Sequence, residues 1–73
     1  GKIERTRGRM TEAGALLERA LALATGAGLP AAVARAQTYR GELFEAQRRF
    51  DDALVAYEAA IEAVEAQRRQ TPD

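Results

Sequence analysis

With 73 residues the chain holds one small domain, and a chain of that size buries only roughly 60% of the surface its unfolded form exposes, so its stability alone is marginal. A composition of 47% hydrophobic and 30% charged residues excludes a disordered tail, and 11 basic against 11 acidic residues give no generic attraction to nucleic acid or an anionic membrane. Cysteine, histidine, serine and asparagine are all absent, which removes disulfides, thiolate and imidazole metal sites, and Ser/His or Cys/His nucleophile pairs.

In chain order, residues 1–7 read as the tail of a helix ending near Gly8. Met10 to about Ala24 forms an amphipathic helix, because Met10, Ala13, Leu17, Ala20, Leu21 and Ala24 recur at steps of three and four. Gly14 lies inside it and costs roughly 1 kcal/mol relative to alanine, so a close approach of a neighbouring helix is expected there. Gly26 and Gly28 stop this helix. Pro30 opens the next, where its missing N–H is not needed. That second helix runs to about Gln47, with Val33, Ala36, Leu43 and Phe44 on its buried side and Gln37 and Arg40 interrupting it. After a break at Arg48-Arg49, marked by a change of phase, the third helix runs from Phe50 to about Gln67. Phe50, Ala53, Leu54, Tyr57, Ala60, Ile61 and Val64 share one face and are its expected core. Asp51 and Asp52 suit the positive end of its dipole, and Arg68 and Arg69 the negative end. Two i,i+4 pairs, Glu45–Arg49 and Glu65–Arg69, are expected on the surface.

Shifting the chain by 40 residues superimposes its halves. Met10-Thr11-Glu12-Ala13 falls on Phe50-Asp51-Asp52-Ala53, Leu17 on Tyr57, Ala20 on Ala60, Leu21 on Ile61 and Ala24 on Val64; backwards, Gly1 falls on Gly41 and Ile3 on Leu43. Large apolar residues meet apolar residues, and small ones meet small ones.

This placement resembles the tetratricopeptide repeat family. There the first helix of a repeat carries a glycine followed three residues later by an aromatic, as Gly41 and Phe44. The second carries alanines seven apart with an aromatic between, as Phe50, Ala53, Tyr57 and Ala60. The earlier copy matches through Gly1, Gly8, Met10, Ala13, Leu17 and Ala20, with Glu4 replacing the aromatic. The period of 40 exceeds the usual 34 or so and resembles the long repeats of kinesin light chains and bacterial signalling proteins. Gln37 and Arg40 stand where the family has tryptophan and leucine, and no closing proline lies near Glu65.

The resemblance implies an all-α fold of antiparallel helical hairpins. The division is a partial repeat over 1–25, a turn at 26–29, a full repeat over 30–69 and a frayed tail at 70–73. It also implies a concave groove for a protein or peptide partner, lined by Lys2, Arg5 and Thr6 and by Arg35, Thr38, Glu42, Glu45 and Ala46. The chaperone-binding subclass clamps a terminal carboxylate with lysine and asparagines; Thr38 and Glu42 do not match, so no such binding is expected. No catalytic residue, metal, cofactor, nucleic acid or membrane partner is expected. Lys2, Arg5, Arg7 and Arg9 form a solvated basic helix end, interrupted by Glu4, and Glu42 with Glu45 a solvated face. Tyr39 is either half-buried or a contact residue.

No apolar run approaches the roughly 18 residues of a membrane span, and no signal peptide is visible. The chain reads as a cytoplasmic piece of a larger, bacterial, regulatory or signalling protein. Fewer than the usual three repeats are present. The chain is therefore expected to self-associate, swap helices or lean on flanking sequence. A dimerisation module and a helical segment of a transcription regulator or ATPase-linked signalling protein are the alternative readings.

Overall fold

The computed structural model describes the backbone of residues 2–70 and the side chains of residues 7–69. Three helices follow one another: α1 over Lys2–Gly26, α2 over Pro30–Ala46 and α3 over Phe50–Gln70. The chain is all-α, an antiparallel array with α2 in the middle, packed on both neighbours; among the described residues α1 and α3 make no backbone contact with each other. The expected helix end near Gly8 does not occur. Helix α1 runs on through Gly8, from Lys2 to Gly26, since one glycine's cost of about 1 kcal/mol is too small to break a helix of this length. Gln70 closes α3, and the rest of the expected tail, 71–73, lies outside the described residues.

Both connections are the same three-residue turn. Leu29 N–H donates to the Ala24 carbonyl at 3.0 Å and Gly28 N–H to the Thr25 carbonyl at 3.2 Å. Twenty residues later, Arg49 N–H donates to the Phe44 carbonyl at 2.8 Å and Arg48 N–H to the Glu45 carbonyl at 2.9 Å. This closure satisfies carbonyls that a helix end leaves open, and it places one residue in the left-handed region. That residue is Gly28, with φ 67°, in the first turn and Arg48, with φ 61°, in the second. Glycine adopts it freely, whereas a side-chain-bearing residue pays roughly 1–2 kcal/mol. The second turn was hard to read in the sequence for this reason: it uses the glycine geometry without the glycine.

The core is made of alanine. Ala24, Ala34, Ala36, Ala53, Ala56, Ala60 and Ala63 are buried, and among the described residues no large side chain is fully enclosed. On α3 the steps 53, 56, 60, 63 form a stripe against α2. The expected core residues Phe50, Leu54, Ile61 and Val64 belong instead to the adjacent stripe and are exposed. Small residues win the contact because they let two helix backbones approach closely, and large ones then have to point past the seam. Gly41 is the extreme case. It is buried, and a Cβ there would lie 2.7 Å from Cδ1 and Cζ of Tyr57. The ring of Tyr57 occupies the space that a side chain at Gly41 would fill. Gly14, by contrast, needs no such approach: a Cβ would sit 3.6 Å from Leu43 Cδ2, an ordinary contact.

The molecule spans 53 × 22 × 13 Å, one helix thick in its shortest direction. Its accessible surface of 5776 Å² exceeds the about 4,400 Å² expected of a compact protein of its mass. A sheet of helices one layer deep has no inside in which a leucine or phenylalanine could be enclosed.

Candidate functional site

The exposed ridge of α2 carries Arg35, Thr38, Glu42 and Glu45, at steps of three and four that set all four on one side of the helix. Thr38 Oγ1 donates to the Ala34 carbonyl at 2.9 Å, which fixes its rotamer. An apolar groove flanks the ridge on each side. Thr38 edges the first with Tyr57, Ala60, Ile61 and Val64 of α3, and Glu65 and Arg68 close its end; its volume is about 430 Å³. Glu42 and Ala46 edge the second with Leu16 and Leu17 of α1 and with Tyr39 and Leu43; its volume is about 530 Å³. Tyr39 is thus an exposed groove wall. A polar ridge between two oily channels offers both a charge pattern for orientation and apolar area for affinity.

Tyr57 joins the ridge to the first groove. Its hydroxyl donates to the Glu45 carboxylate, and this hydrogen bond, with burial and the negative charges of Glu45 and Glu42, pushes its pKa from 10.0 up to about 12. The Glu45–Arg49 pair that the i,i+4 spacing suggests is not formed among the described residues. Arg49 instead grips Asp52, with Nε to Oδ2 at 2.8 Å and Nη2 to Oδ2 at 2.7 Å. Near-ultraviolet titration of a Tyr39→Phe chain, in which Tyr57 alone titrates, is expected to show a midpoint near 12. Glu45→Gln should bring it back toward 10, and an unchanged midpoint would remove Glu45 as the cause. A raised folded pKa means that this contact stabilises the fold fully below about pH 10 and is lost as the pH rises to about 12.

A second chain of contacts ties all three helices together. Arg40 Nη2 of α2 meets Glu18 Oε1 of α1 at 2.8 Å, and its Nη1 donates to Gln37 Oε1 at 3.1 Å. The guanidiniums of Arg40 and Arg49 lie 5.3 and 4.8 Å from the Phe44 ring centre, and Arg49 reaches Asp52 of α3. Gln37 and Arg40, which looked like flaws in an apolar face, are the polar half of the α1–α2 seam. The expected Glu65–Arg69 pair is not formed among the described residues.

Lys2, Arg5 and Thr6 lie in the opening turns of α1, on the same helix as Met10, and their side chains fall outside the described residues. With Glu18 level with Arg40 in an antiparallel pair, the start of α1 lies toward the C-terminal end of α2, away from Arg35. No helix is long and apolar enough to cross a membrane, and no three acidic side chains converge as a metal site would need, both among the described residues. The pattern of one family, tetratricopeptide repeat, matches residues 1–66. No curated protein and no solved structure gives a significant match.

Proposed function

We propose a function from one premise: the chain belongs to the tetratricopeptide repeat family, whose pattern spans residues 1–66. Its role is to hold a protein or peptide partner, not to catalyse. The observation that carries this reading is the α2 ridge of Arg35, Thr38, Glu42 and Glu45 between two open apolar grooves. Lys2, Arg5 and Thr6 extend the binding surface along α1. The division into a partial repeat over 1–25 and a full one over 30–69, within a larger bacterial regulatory or signalling protein of the cytoplasm, is the setting this reading assigns. Mixed charge on the ridge suits a partner of mixed charge, and Glu42 repels an acidic peptide terminus.

The test is an amide chemical-shift titration against a panel of mixed-charge peptides. Shifts should gather at Arg35, Thr38, Glu42, Glu45 and Tyr57, and Glu42→Arg should weaken binding about tenfold. Shifts confined to other surfaces would sink the assignment of the ridge. A second reading, homo-oligomerisation, rests on the exposed Phe50, Leu54, Ile61 and Val64. Sedimentation over a wide concentration range separates the two, since only the second requires a mass that rises with concentration.

A further inference from the structure

The two turns of the chain close with the same hydrogen bonds but are built from different residues. The first holds Gly28 at its left-handed position and is followed by Pro30. Glycine takes that backbone freely. A proline inside a helix loses a hydrogen bond and clashes with the carbonyl four residues back, so α1 and α2 cannot merge into one helix. The second turn is Gln47-Arg48-Arg49, with Arg48 at φ 61° and neither glycine nor proline. Glutamine and arginine are good helix formers. This turn is therefore bent against the helical preference of its own residues. Arg48 draws no visible compensation from the bend, since its side chain is exposed and joins no ion pair among the described residues.

Straightened, residues 47–49 would carry α2 into α3 as one helix of about 41 residues, roughly 60 Å long. Among the described residues α1 makes no backbone contact with α3, so α3 can leave without disturbing the α1–α2 pair. The alanine stripe of α3, with Tyr57 against Gly41, makes the same seam whichever copy supplies it. We propose that two copies of the chain exchange α3 about a hinge at Arg48: each α2 runs straight into its own α3, which lies antiparallel on the α2 of the other copy. The seam contacts then cancel between the two forms. What remains is the relief at Arg48 and the added helix, set against the freedom lost in joining two chains. The groove edged by Thr38 and walled by Tyr57, Ala60 and Ile61 becomes a site shared between copies. The exchange stands apart from what the ridge binds, and a peptide titration that failed would leave it untouched.

The seam must open before it can swap, so samples are heated through unfolding and slowly cooled at high concentration before sedimentation. The whole chain is expected to give a dimer whose mass falls on dilution. Arg48→Gly relieves the closed turn and weakens the straight helix. It should raise the dissociation constant at least about tenfold and raise the melting midpoint of the monomer. Arg48→Ala keeps the turn strained and is the better helix former, so its dimer should be at least as tight as the native one. Gly28→Arg added to Arg48→Gly puts the same strain in the other turn. That chain should melt lower yet stay monomeric, because Pro30 blocks the straight form. The geometry is read by spin-label distances in a chain carrying Ala32→Cys and Glu62→Cys, diluted with unlabelled chain; both positions are exposed and the protein has no other cysteine. The pair should lengthen from below about 25 Å in the monomer to about 45 Å in the dimer. Four results would each overturn the proposal. They are a monomer at every concentration up to about millimolar, a dimer that Arg48→Ala dissolves as Arg48→Gly does, a dimer of the double variant, and a dimer in which the labelled pair stays short. The last would assign the added mass to pairing through the exposed Phe50, Leu54 and Ile61.

Discussion

Gly41→Ala should lower the unfolding midpoint by roughly 5–15 °C, the shift that a loss of about 1–2 kcal/mol gives a domain of this size. Alanine normally stabilises a helix interior over glycine by about 1 kcal/mol, so the expected sign runs against propensity. The reason is the Tyr57 ring, whose Cδ1 and Cζ would lie 2.7 Å from the new Cβ. The ring must shift to admit a Cβ at position 41, and overpacking of this kind costs roughly 1–3 kcal/mol. The decisive measurement is a double-mutant cycle by thermal or urea unfolding. Tyr57→Val removes the atoms that collide, and in that background Gly41→Ala should turn stabilising by up to about 1 kcal/mol. If Gly41→Ala is destabilising by the same amount in both backgrounds, the ring is not what excludes a side chain there.

The second large effect concerns two positions that the repeat makes equivalent. Ala56 of α3 is 2% exposed and faces α2, whereas Leu16 of α1, 40 residues earlier, is 66% exposed. Ala56→Leu should destabilise by roughly 1–3 kcal/mol, toward the upper end, because three more carbons push α2 off the alanine stripe and lift Tyr57 from Gly41. Leu16→Ala removes the same three carbons from a groove wall open to water. It should change stability by less than about 0.5 kcal/mol. The pair is checked by parallel melts. A cost for Leu16→Ala comparable with that of Ala56→Leu would mean that the α1 face is covered in solution, by another copy or by a rearranged helix.

The pattern of apolar steps revealed where helices run, since a 3.6-residue period needs no knowledge of neighbours. The glycine at position 41 and the aromatic at 57 could be matched to a known pattern because close backbone approach needs both partners. What the sequence could not say was which of two neighbouring stripes on α3 faces inward. Phe50, Leu54, Ile61 and Val64 are the more hydrophobic, and hydrophobicity alone places them inside. They lie outside because α2 offers Ala34, Gly41 and the seam around them, a shape that accepts alanine and turns larger side chains away. Arg40 misled in the opposite direction. Its stem packs and its charge finds Glu18, a partner 22 residues away that local spacing cannot reveal. On the α2 ridge, Arg35, Thr38, Glu42 and Glu45 were legible as one face; the two grooves that give that face its chemistry were not, because their walls come from three separate helices.

That α2 packs on both neighbours, while α1 and α3 make no backbone contact among the described residues, sets how the chain assembles in time. Every packing partner is the next helix along, so no long loop has to close before contacts form, and chains of this kind fold in microseconds to milliseconds. Cooperativity passes from helix to helix like a nearest-neighbour coupling rather than through a shared centre. Because α2 packs more extensively on α3 than on α1, the α2–α3 hairpin is expected to be the slow-exchanging unit, with α1 the first helix to open. Amide protons of α1 should accordingly exchange ahead of those in α2 and α3, and the chain behaves less like a globule than like a short zipper whose first tooth is free to open.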